Sequence, residues 1–284
     1  MFSLIKFILF MEESSKYHYH YTSIETLALI LKYKTFRLRR LDLADDPEES
    51  LTNDYGNLGR FCLISCWTSM SEESLPMWQM YSKDMKGVRI KLPTFIFPKY
   101  NLKSSSHKRT KKNGEVWNEE EVYGENFYSY INLKDFYDRG CLTVPLRENI
   151  LTKIIYTENH ELLYPNVIEE KDGGITLHTG RLGVYKHRYW EFQQELRYKV
   201  FVSPWSREEI LEGTPETHMA LINRLKISNL PFEYIDLNVD EKKFEDMIIR
   251  LGPKVTEAEK IIVQSLVNEF NPSAKIEESV LKVR

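Results

Sequence analysis

Residues 17–22, YHYHYT, alternate two ring types directly before a helix-forming segment. Successive side chains of an extended chain point to opposite faces, so the three tyrosines would share one face and His18 and His20 the other. The strand ends where Thr22-x-x-Glu25 matches a capping box, in which a hydroxyl and a carboxylate satisfy free N–H groups at a helix start. The sequence therefore predicts a strand-to-helix corner at Thr22, with His20 at the corner and His18 partly exposed beside it.

The helix after this corner is predicted from the spacing of its apolar residues. The residues that recur at helical intervals are Ile24, Leu27, Ala28, Ile30 and Leu31. They lie on one face of a helix, and that face can be buried against a sheet.

Composition limits the classes of protein to which the chain can belong. Of its 284 residues 42% are hydrophobic, which is enough for a sizeable core. The net charge of −3 excludes a global positive field, so a polyanion would need a local site. Three cysteines form no even disulfide framework, which favours a cytoplasmic protein.

Residues 1–10 are apolar but too few to span a bilayer, so we expect an extension or an added strand there and no stable membrane insertion.

The order of strand and helix patterns predicts one α+β domain over residues 1–284, with a mixed, mostly antiparallel twisted sheet flanked by helices. Residues 99–114 are polar and basic and are expected to form a surface loop, and residues 206–226 a helical insertion. The acidic segment 42–49 is expected to be an exposed loop at the rim of a cleft, because five acids cannot be buried together. Strands are predicted at residues 35–38, 61–68, 87–92, 115–122, 127–133, 151–156 and 232–237, and helices at residues 74–81 and 257–270.

A second group of polar residues lies in the run WEFQQELR at residues 190–197. Gln193 and Glu195 share a face if both belong to one strand, and an amide beside a carboxylate suits adjacent hydroxyls of a sugar. The alternative is structural, since Glu195 and Arg197 could form a charge ladder on an exposed face. Because a carboxylate in a cleft is usually not a packing element, we expect Glu195→Ala to abolish activity with little loss of stability.

Other chemistries stay open at this point. A metal could be held by His18 and His20 with Cys62 and Cys66, although the cysteine spacing is not that of a usual zinc site, and we predict no metal. A metal-independent nuclease could use a histidine base and nearby cations, and the residues available for it are His20, Lys186, His187, Glu195 and Arg197. A third alternative is a binding module that senses a nucleotide or a phage component without turnover.

Several separated motifs, in order, resemble one family. They are YHYTS with its helix, DDPEE, SCWT, PMWQMY, KGVRI, the W-x-x-x-x-E-x-R run and RLGPK before a helix, and they cover roughly residues 19–268. This pattern resembles the family known as domain of unknown function 2971. The resemblance implies a bacterial protein with no assigned reaction and a role in phage defence.

The order of polar sites is more distantly similar to that of the ADP-ribosyltransferases. In that superfamily a His and a Thr hold the nicotinamide-ribose part of NAD, an aromatic ring stacks on the nicotinamide, and a Glu hydrogen-bonds a ribose hydroxyl. The resemblance implies an ADP-ribosyltransferase-like fold that uses NAD as a substrate. It also implies transfer to an unidentified protein or nucleic acid, or NAD cleavage, in a toxin or abortive-infection setting.

The residues that this second resemblance assigns come from widely separated parts of the chain. His20, with Tyr21 and Thr22, would bind the ribose and the amide, and Tyr81 would stack on the nicotinamide, with Trp78 as the alternative.

Later in the chain, Gln193 would position the acceptor and Glu195 would be the catalytic carboxylate, and Arg89 and Arg197 would bind phosphate or pair with acids. A carboxylate near the ribose would stabilise the oxocarbenium character that develops as the glycosidic bond breaks.

Overall fold

The central feature of the fold is a sheet in which nine strands are joined edge to edge. It is seen in a computed structural model that describes residues 17–102, 105–110, 116–121, 127–171, 174–211 and 215–284. The apolar residues 1–10 lie outside this part of the chain. Within it, no helix has the length and the apolar character needed to cross a membrane.

The elements of the described residues are numbered in chain order. The strands are β1 (Tyr17–Thr22), β2 (Thr35–Arg40), β3 (Leu51–Thr52), β4 (Gly56–Asn57), β5 (Cys62–Thr68), β6 (Val88–Pro93), β7 (Tyr100–Asn101), β8 (Ser105–Thr110), β9 (Val116–Glu121), β10 (Tyr128–Ser129), β11 (Leu151–Lys153), β12 (Ile155–Thr157), β13 (Ile168–Lys171), β14 (Gly174–Leu177), β15 (Tyr185–His187), β16 (Glu195–Phe201), β17 (Tyr234–Asn238), β18 (Ile248–Leu251) and β19 (Lys275–Glu277). The α-helices are α1 (Ile24–Tyr33), α2 (Leu75–Tyr81), α3 (Lys134–Tyr137), α4 (His160–Leu163), α5 (Arg207–Leu211), α6 (Pro215–Arg224), α7 (Glu241–Glu245) and α8 (Glu257–Phe270). Short 3-10 helices cover Leu41–Leu43, Glu48–Ser50, Gly59–Phe61, Glu148–Ile150, Thr179–Arg181 and Arg188–Gln193.

The strand order confirms the predicted fold class at the level of an α+β protein with a mixed, mostly antiparallel sheet. The main path runs β11-β16-β5-β1-β6-β18-β19, and β2 joins β5 to β17. The pairs in this sheet are antiparallel except for β18 with β19, which is parallel. Helix α1 packs against α8, and both contribute to the larger buried apolar cluster.

Strand β5 has a different neighbour at each end of one edge. At one end Thr68 pairs with Tyr19 of β1, and at the other end Ile64 pairs with Arg39 of β2. The opposite edge of β5 pairs with β16 along its whole length. The sheet therefore divides along this edge into one branch through β1 and another through β2. We call the gap between the two pairings, at residues 65–67, the fork.

His20 occupies the fork. Its Nδ1 lies 2.8 Å from the carbonyl oxygen of Cys66, a backbone acceptor that neither β1 nor β2 reaches. A carbonyl oxygen only accepts, so Nδ1 carries the proton. The side chain that the sequence places at the corner thus replaces a missing strand-to-strand hydrogen bond.

The corner itself differs by one residue from the prediction. Thr22 is the last residue of β1 and pairs with Val88, so it does not cap the helix. Ser23 is the N-cap of α1, and its Oγ accepts a hydrogen bond from the Thr26 amide at 3.2 Å. The predicted capping box at Thr22 is therefore wrong, because the strand continues to the end of its pairing with β6. Glu25 forms an ion pair with Lys83 instead.

A glycine lets β6 begin directly beside this corner. A Cβ on Gly87 would lie 2.2 Å from the carbonyl oxygen of Thr22, far inside van der Waals contact. The carbonyl oxygen of Gly87 also accepts a hydrogen bond from the Gly252 amide at 2.9 Å. Only a residue without a side chain fits where three backbone segments meet.

Three other predictions require correction. His18 is fully buried against Trp67, with ring centroids 4.1 Å apart, because the core continues across the face that the histidines share. In the acidic segment 42–49, Glu49 is buried, so that segment is not an exposed loop throughout. The segment 99–114 contains β7 and β8, and β8 pairs with β9, so this segment is not simply a loop. Its residues 103–104 and 111–114 lie outside the described residues.

The segment 206–226, predicted as a helical insertion, contains helices α5 and α6.

Candidate functional site

A cavity of about 200 Å³ lies at the fork. Strand pairing explains why distant residues meet there: Tyr19 and Glu195 both stand opposite Thr68, on its two sides, and Arg197 stands opposite Cys66. Residues directly opposite in a sheet share a face, so these side chains lie on one surface. The segment that follows β2, helix α2 and strand β15 complete the lining and contribute Asp45, Glu49, Met77, Tyr81 and Lys186.

Both halves of the predicted site reach this cavity. His20 and Tyr21 line it from β1, and Gln193, Glu195 and Arg197 line it from the late run.

Tyr81 also lines the cavity, from the last turn of α2. His20, Gln193 and Glu195 thus all contribute to one lining, but the strand register puts the His20 side chain on the face opposite Glu195. His20 follows Tyr19, its ring packs on Trp67 and Phe36, and it contributes to the lining from the fork. The segment 45–49, expected at the rim of a cleft, contributes Asp45 and Glu49 to the lining.

Four charged side chains form a buried cluster beneath the cavity. Arg197 donates from Nε to Glu195 Oε1 at 2.5 Å and from Nη2 to Glu49 Oε1 at 2.9 Å. Lys186 Nζ lies 3.3 Å from Glu195 Oε2 and 3.6 Å from Glu49 Oε1. None of these four side chains is more than 4% exposed. The two acids and two bases compensate one another, which is the arrangement that makes buried charges tolerable.

The two carboxylates in the cluster differ in their acidity. Burial alone would raise the pKa of Glu195, but the nearby Arg197 and Lys186 outweigh it and hold that pKa at about 2. At Glu49 burial dominates the same two cations and raises the pKa. Environments that move two neighbouring carboxyl groups in opposite directions are typical of acid–base sites, although structural ion pairs also produce them. Glu195 is therefore ionised throughout the neutral range.

Glu195 is held by more than its ion pairs. Its backbone amide donates a hydrogen bond to Tyr156 Oη at 2.8 Å. Beneath it, Arg197 donates from Nη1 to the carbonyl oxygen of Gly183 at 3.4 Å. Gly183 has φ +61°, and a Cβ there would lie 3.1 Å from Leu41, so the loop that supports the guanidinium depends on a glycine.

A hydrogen-bonded chain joins Gln193 to this cluster. Gln193 Oε1 accepts from Lys186 Nζ at 2.9 Å, and Gln193 Nε2 donates to Tyr81 Oη at 2.6 Å. Burial raises the pKa of Tyr81, and so does its hydrogen bond with Asp45. The chain thus crosses the cavity from Asp45 to Glu195.

The expectation that Gln193 and Glu195 share a strand face is wrong. Gln193 ends a 3-10 helix, and Gln194 adopts φ 43°, in the left-handed region, before β16 begins at Glu195. The two side chains meet because Lys186 donates to both. The alternative of an exposed charge ladder is also wrong, since Glu195 and Arg197 are both buried.

Three predicted binding residues lie outside the cavity lining. Thr22 is buried in its pairing with Val88, and Trp78 is fully buried, with its ring 4.8 Å from that of Tyr21. Arg89 donates from Nη1 to the backbone carbonyl oxygens of Ser71 and Glu72, both at 3.0 Å.

The guanidinium of Arg89 lies over the ring of Tyr19, 4.5 Å from the centroid. It therefore fixes the loop before α2 and does not reach the cavity. Of the two candidates for a stacking ring, Tyr81 lines the cavity and Trp78 supports it from behind.

His20 is neutral at physiological pH. Burial lowers its pKa, and the hydrogen bond with the Cys66 carbonyl opposes that effect only in part. With its proton on Nδ1, the ring has Nε2 as a hydrogen-bond acceptor.

The residues named for the alternative chemistries meet at this cavity only in part. The described residues contain no group of three or more His, Cys, Asp or Glu side chains placed to hold a metal ion. Of the residues named for a nuclease, His20, Lys186, Glu195 and Arg197 line the cavity; His187 does not, and its ring stacks on that of Tyr189, with centroids 3.9 Å apart. Cys62 is buried, and burial raises its thiol pKa to about 11.

Sequence reasoning did not assign Glu49 or Asp45 a chemical role and considered Lys186 only for a nuclease. No local signal marks Glu49, since its neighbours are also acidic and its cationic partner Arg197 is 148 residues away. A search of protein-family models, of curated proteins and of solved structures finds no match to this chain.

Proposed function

We propose that the protein breaks the N-glycosidic bond of NAD at this cavity and transfers the ADP-ribose to a macromolecule or to water. The observation that carries this proposal is that His20 and Glu195 line the same cavity although they are far apart in the sequence. The resemblance of the sequence to the ADP-ribosyltransferases supports the same chemistry. Together the two resemblances also suggest a bacterial phage-defence or toxin setting, which belongs to the proposal.

The proposed reaction separates the anomeric carbon of the ribose from the ring nitrogen of nicotinamide. The bonding electrons leave with the nicotinamide, which becomes neutral, and positive charge develops on the ribose. The acceptor's nucleophile or a water molecule then bonds to the anomeric carbon and loses its proton. The carboxylate of Glu195, ionised at neutral pH, would stabilise the developing charge.

The other lining residues have corresponding roles in this proposal. The neutral ring of His20 would accept a hydrogen bond from a ribose hydroxyl, and the ring of Tyr81 would stack on the nicotinamide. Gln193 has both ends of its amide engaged, by Lys186 and by Tyr81, so it would hold these two side chains in place.

The size of the cavity limits what it can enclose. Its volume of about 200 Å³ is below the range of roughly 300–1,000 Å³ that is usual for drug-sized ligands. We therefore expect it to hold the nicotinamide-ribose end, with the rest of the dinucleotide along its entrance.

One observation favours a second candidate, a module that binds such a nucleotide without turnover. Both oxygens of Glu195 are engaged, Oε1 by Arg197 and Oε2 by Arg197 and Lys186. A carboxylate compensated in this way has less negative charge to offer a cationic transition state.

Incubation of the purified protein with NAD tests the proposal, with nicotinamide release as the readout. We expect release by the wild type, a loss of at least a hundredfold in Glu195→Gln, and no change in the control Glu241→Gln, whose side chain is 82% exposed. NAD binding without nicotinamide release would support the second candidate and contradict the first. Assays with and without a bacterial lysate separate transfer to a macromolecule from hydrolysis.

A further inference from the structure

Three arginines line the cavity, and two of them are paired with acids. Arg197 is held by Glu195 and Glu49. Arg40 binds Asp42 in a bidentate manner, with Nε–Oδ1 at 2.9 Å and Nη2–Oδ2 at 2.6 Å. Their charges are compensated within the protein and are not available to a ligand.

Arg39 is the third, and it has no acidic partner within 4.0 Å among the residues that the structure describes. It lies on β2, where this strand pairs with Ile64 of β5 at the end of the fork opposite to β1. Ile64 and Cys66 are two residues apart on β5, so Arg39 belongs to the same face of the sheet as the buried cluster. Its side chain is exposed at the cavity.

The charges of the remaining lining residues make this guanidinium distinct. The two acids and two bases of the buried cluster cancel, and Arg40 is paired with Asp42. Besides Arg39, this leaves the lining with the carboxylate of Asp45, and no ion pair within 4.0 Å joins the two among the described residues. Arg39 is therefore the cation of the lining whose guanidinium donors are not taken up by an acid in the part of the chain that the structure describes. A guanidinium presents planar paired donors that match phosphate oxygens, so a phosphate can bind Arg39 without displacing an ion pair.

We propose that Arg39 binds an anionic phosphate group of the ligand at the entrance to the cavity, so that the ligand is a phosphorylated nucleotide or sugar. This inference rests on the proposed function, because it names the part of the ligand that extends out of the cavity. It assigns phosphate recognition to β2, a segment that the sequence motifs did not single out.

The test measures equilibrium binding of ADP-ribose, inorganic pyrophosphate and nicotinamide by calorimetry to the wild type and two variants. Arg39→Gln removes the charge at the entrance. Arg37→Gln is the matched control, because Arg37 lies two residues earlier on β2, pairs with Asp236 and stacks on Tyr234. We expect Arg39→Gln to raise the Kd for ADP-ribose and pyrophosphate at least tenfold, to leave the Kd for nicotinamide unchanged, and Arg37→Gln to match the wild type.

The inference is overturned if the wild type does not bind ADP-ribose, if Arg39→Gln binds it as tightly as the wild type, or if Arg37→Gln weakens binding equally. Binding is measured without turnover, so the two proposals fail separately. A wild type that releases no nicotinamide, but whose ADP-ribose affinity depends on Arg39, contradicts NAD cleavage and supports the phosphate site. Nicotinamide release with unchanged ADP-ribose binding in Arg39→Gln contradicts only the phosphate site.

Discussion

Arg197 binds the carboxylate of Glu195 through two donors from the same strand, with Nε 2.5 Å from Oε1 and Nη2 3.0 Å from Oε2. The same guanidinium contacts Glu49, which comes from a distant loop. Glu195 is therefore both a lining residue of the cavity and a member of a buried ion cluster. Substitution at this position has to be judged by stability as well as by activity.

Glu195→Ala should unfold more easily than the wild type, contrary to what the sequence suggested. It leaves Arg197 with Glu49 alone and Lys186 without its closest acid, in a region buried from solvent. Removing one partner of a buried pair costs about 3 kcal/mol or more. Denaturant unfolding checks this. A free energy of unfolding within about 1 kcal/mol of the wild type's would contradict it, because so small a difference is well below the cost of breaking a buried ion pair.

Glu195→Gln is the better probe of activity. The amide keeps the volume and an acceptor for Arg197, so its loss of stability should be smaller than that of Glu195→Ala, measured in the same unfolding series. If the two variants were equally unstable, the retained volume and acceptor would contribute nothing, and the loss of stability would come from the lost charge alone.

Acid should destabilise the protein through His18. Burial, together with the neighbouring His20 and Lys243, lowers the pKa of His18 from 6.5 to about 3, while the unfolded chain binds its proton near pH 6.5. Because the folded-state pKa is the lower one, the stabilisation is complete above pH 6.5 and is lost as the pH falls towards 3. The loss amounts to about 3 kcal/mol between pH 6.5 and roughly pH 4.

Carboxylates also titrate in this window, so the measurement is a difference. Unfolding free energies at about pH 7 and about pH 4 are compared between the wild type and His18→Gln. The variant should be less stable at neutral pH and should lose less stability on acidification. Equal losses in both proteins would show that His18 does not contribute.

Tyr81→Phe should separate the ring of Tyr81 from its hydroxyl. The phenyl ring can still stack on a ligand, but Gln193 Nε2 loses the acceptor at 2.6 Å. An unsatisfied buried donor costs about 1–3 kcal/mol, so we expect lower stability and slower nicotinamide release with nearly unchanged NAD affinity. Tyr81→Ala should lose NAD affinity as well. Equal affinities in the two variants would argue against stacking.

Gly87→Ala tests the close approach of backbones at the corner. A methyl group 2.2 Å from the Thr22 carbonyl forces β1 and β6 apart, and overpacking of this kind costs about 3 kcal/mol. Gly180→Ala is the matched control, since a Cβ at Gly180 has nothing within 4 Å. The two variants are compared by thermal unfolding. A Gly87→Ala midpoint equal to that of Gly180→Ala would contradict the close approach of the backbones at Gly87 and Thr22.

The sequence predicts the elements better than it predicts their contacts. The alternation at residues 17–21 correctly places the two histidines together, since both rings contact Trp67, and the helix predicted at residues 257–270 has the observed bounds. Strands predicted at residues 61–68, from a compact apolar run, and at residues 87–92, from alternating faces, are confirmed within one residue, because both patterns report burial directly. The strand predicted at residues 127–133 is shorter, covering only β10.

The site is predictable only in part, for a physical reason. The polar types at His20 and Glu195 suggest chemistry, but the burial of Glu49 depends on Arg197 and Lys186, and no local pattern reports contacts across such separations. The position of the Gln193 side chain relative to Glu195 depends on the left-handed backbone conformation of the residue between them, Gln194. Such backbone conformations follow from tertiary contacts and not from the residue type alone.

The most direct test of a single ligand site is a titration with NAD followed by NMR of two side chains, the ring of His20 and the amide of Gln193. We predict that both signals shift with the same apparent Kd, because both side chains line one cavity, while the ring signal of His160, on helix α4, stays unchanged. Shifts at only one of the two side chains, different Kd values, or no shift at either would contradict the claim that the His20 corner and the Glu195 strand form one site for NAD.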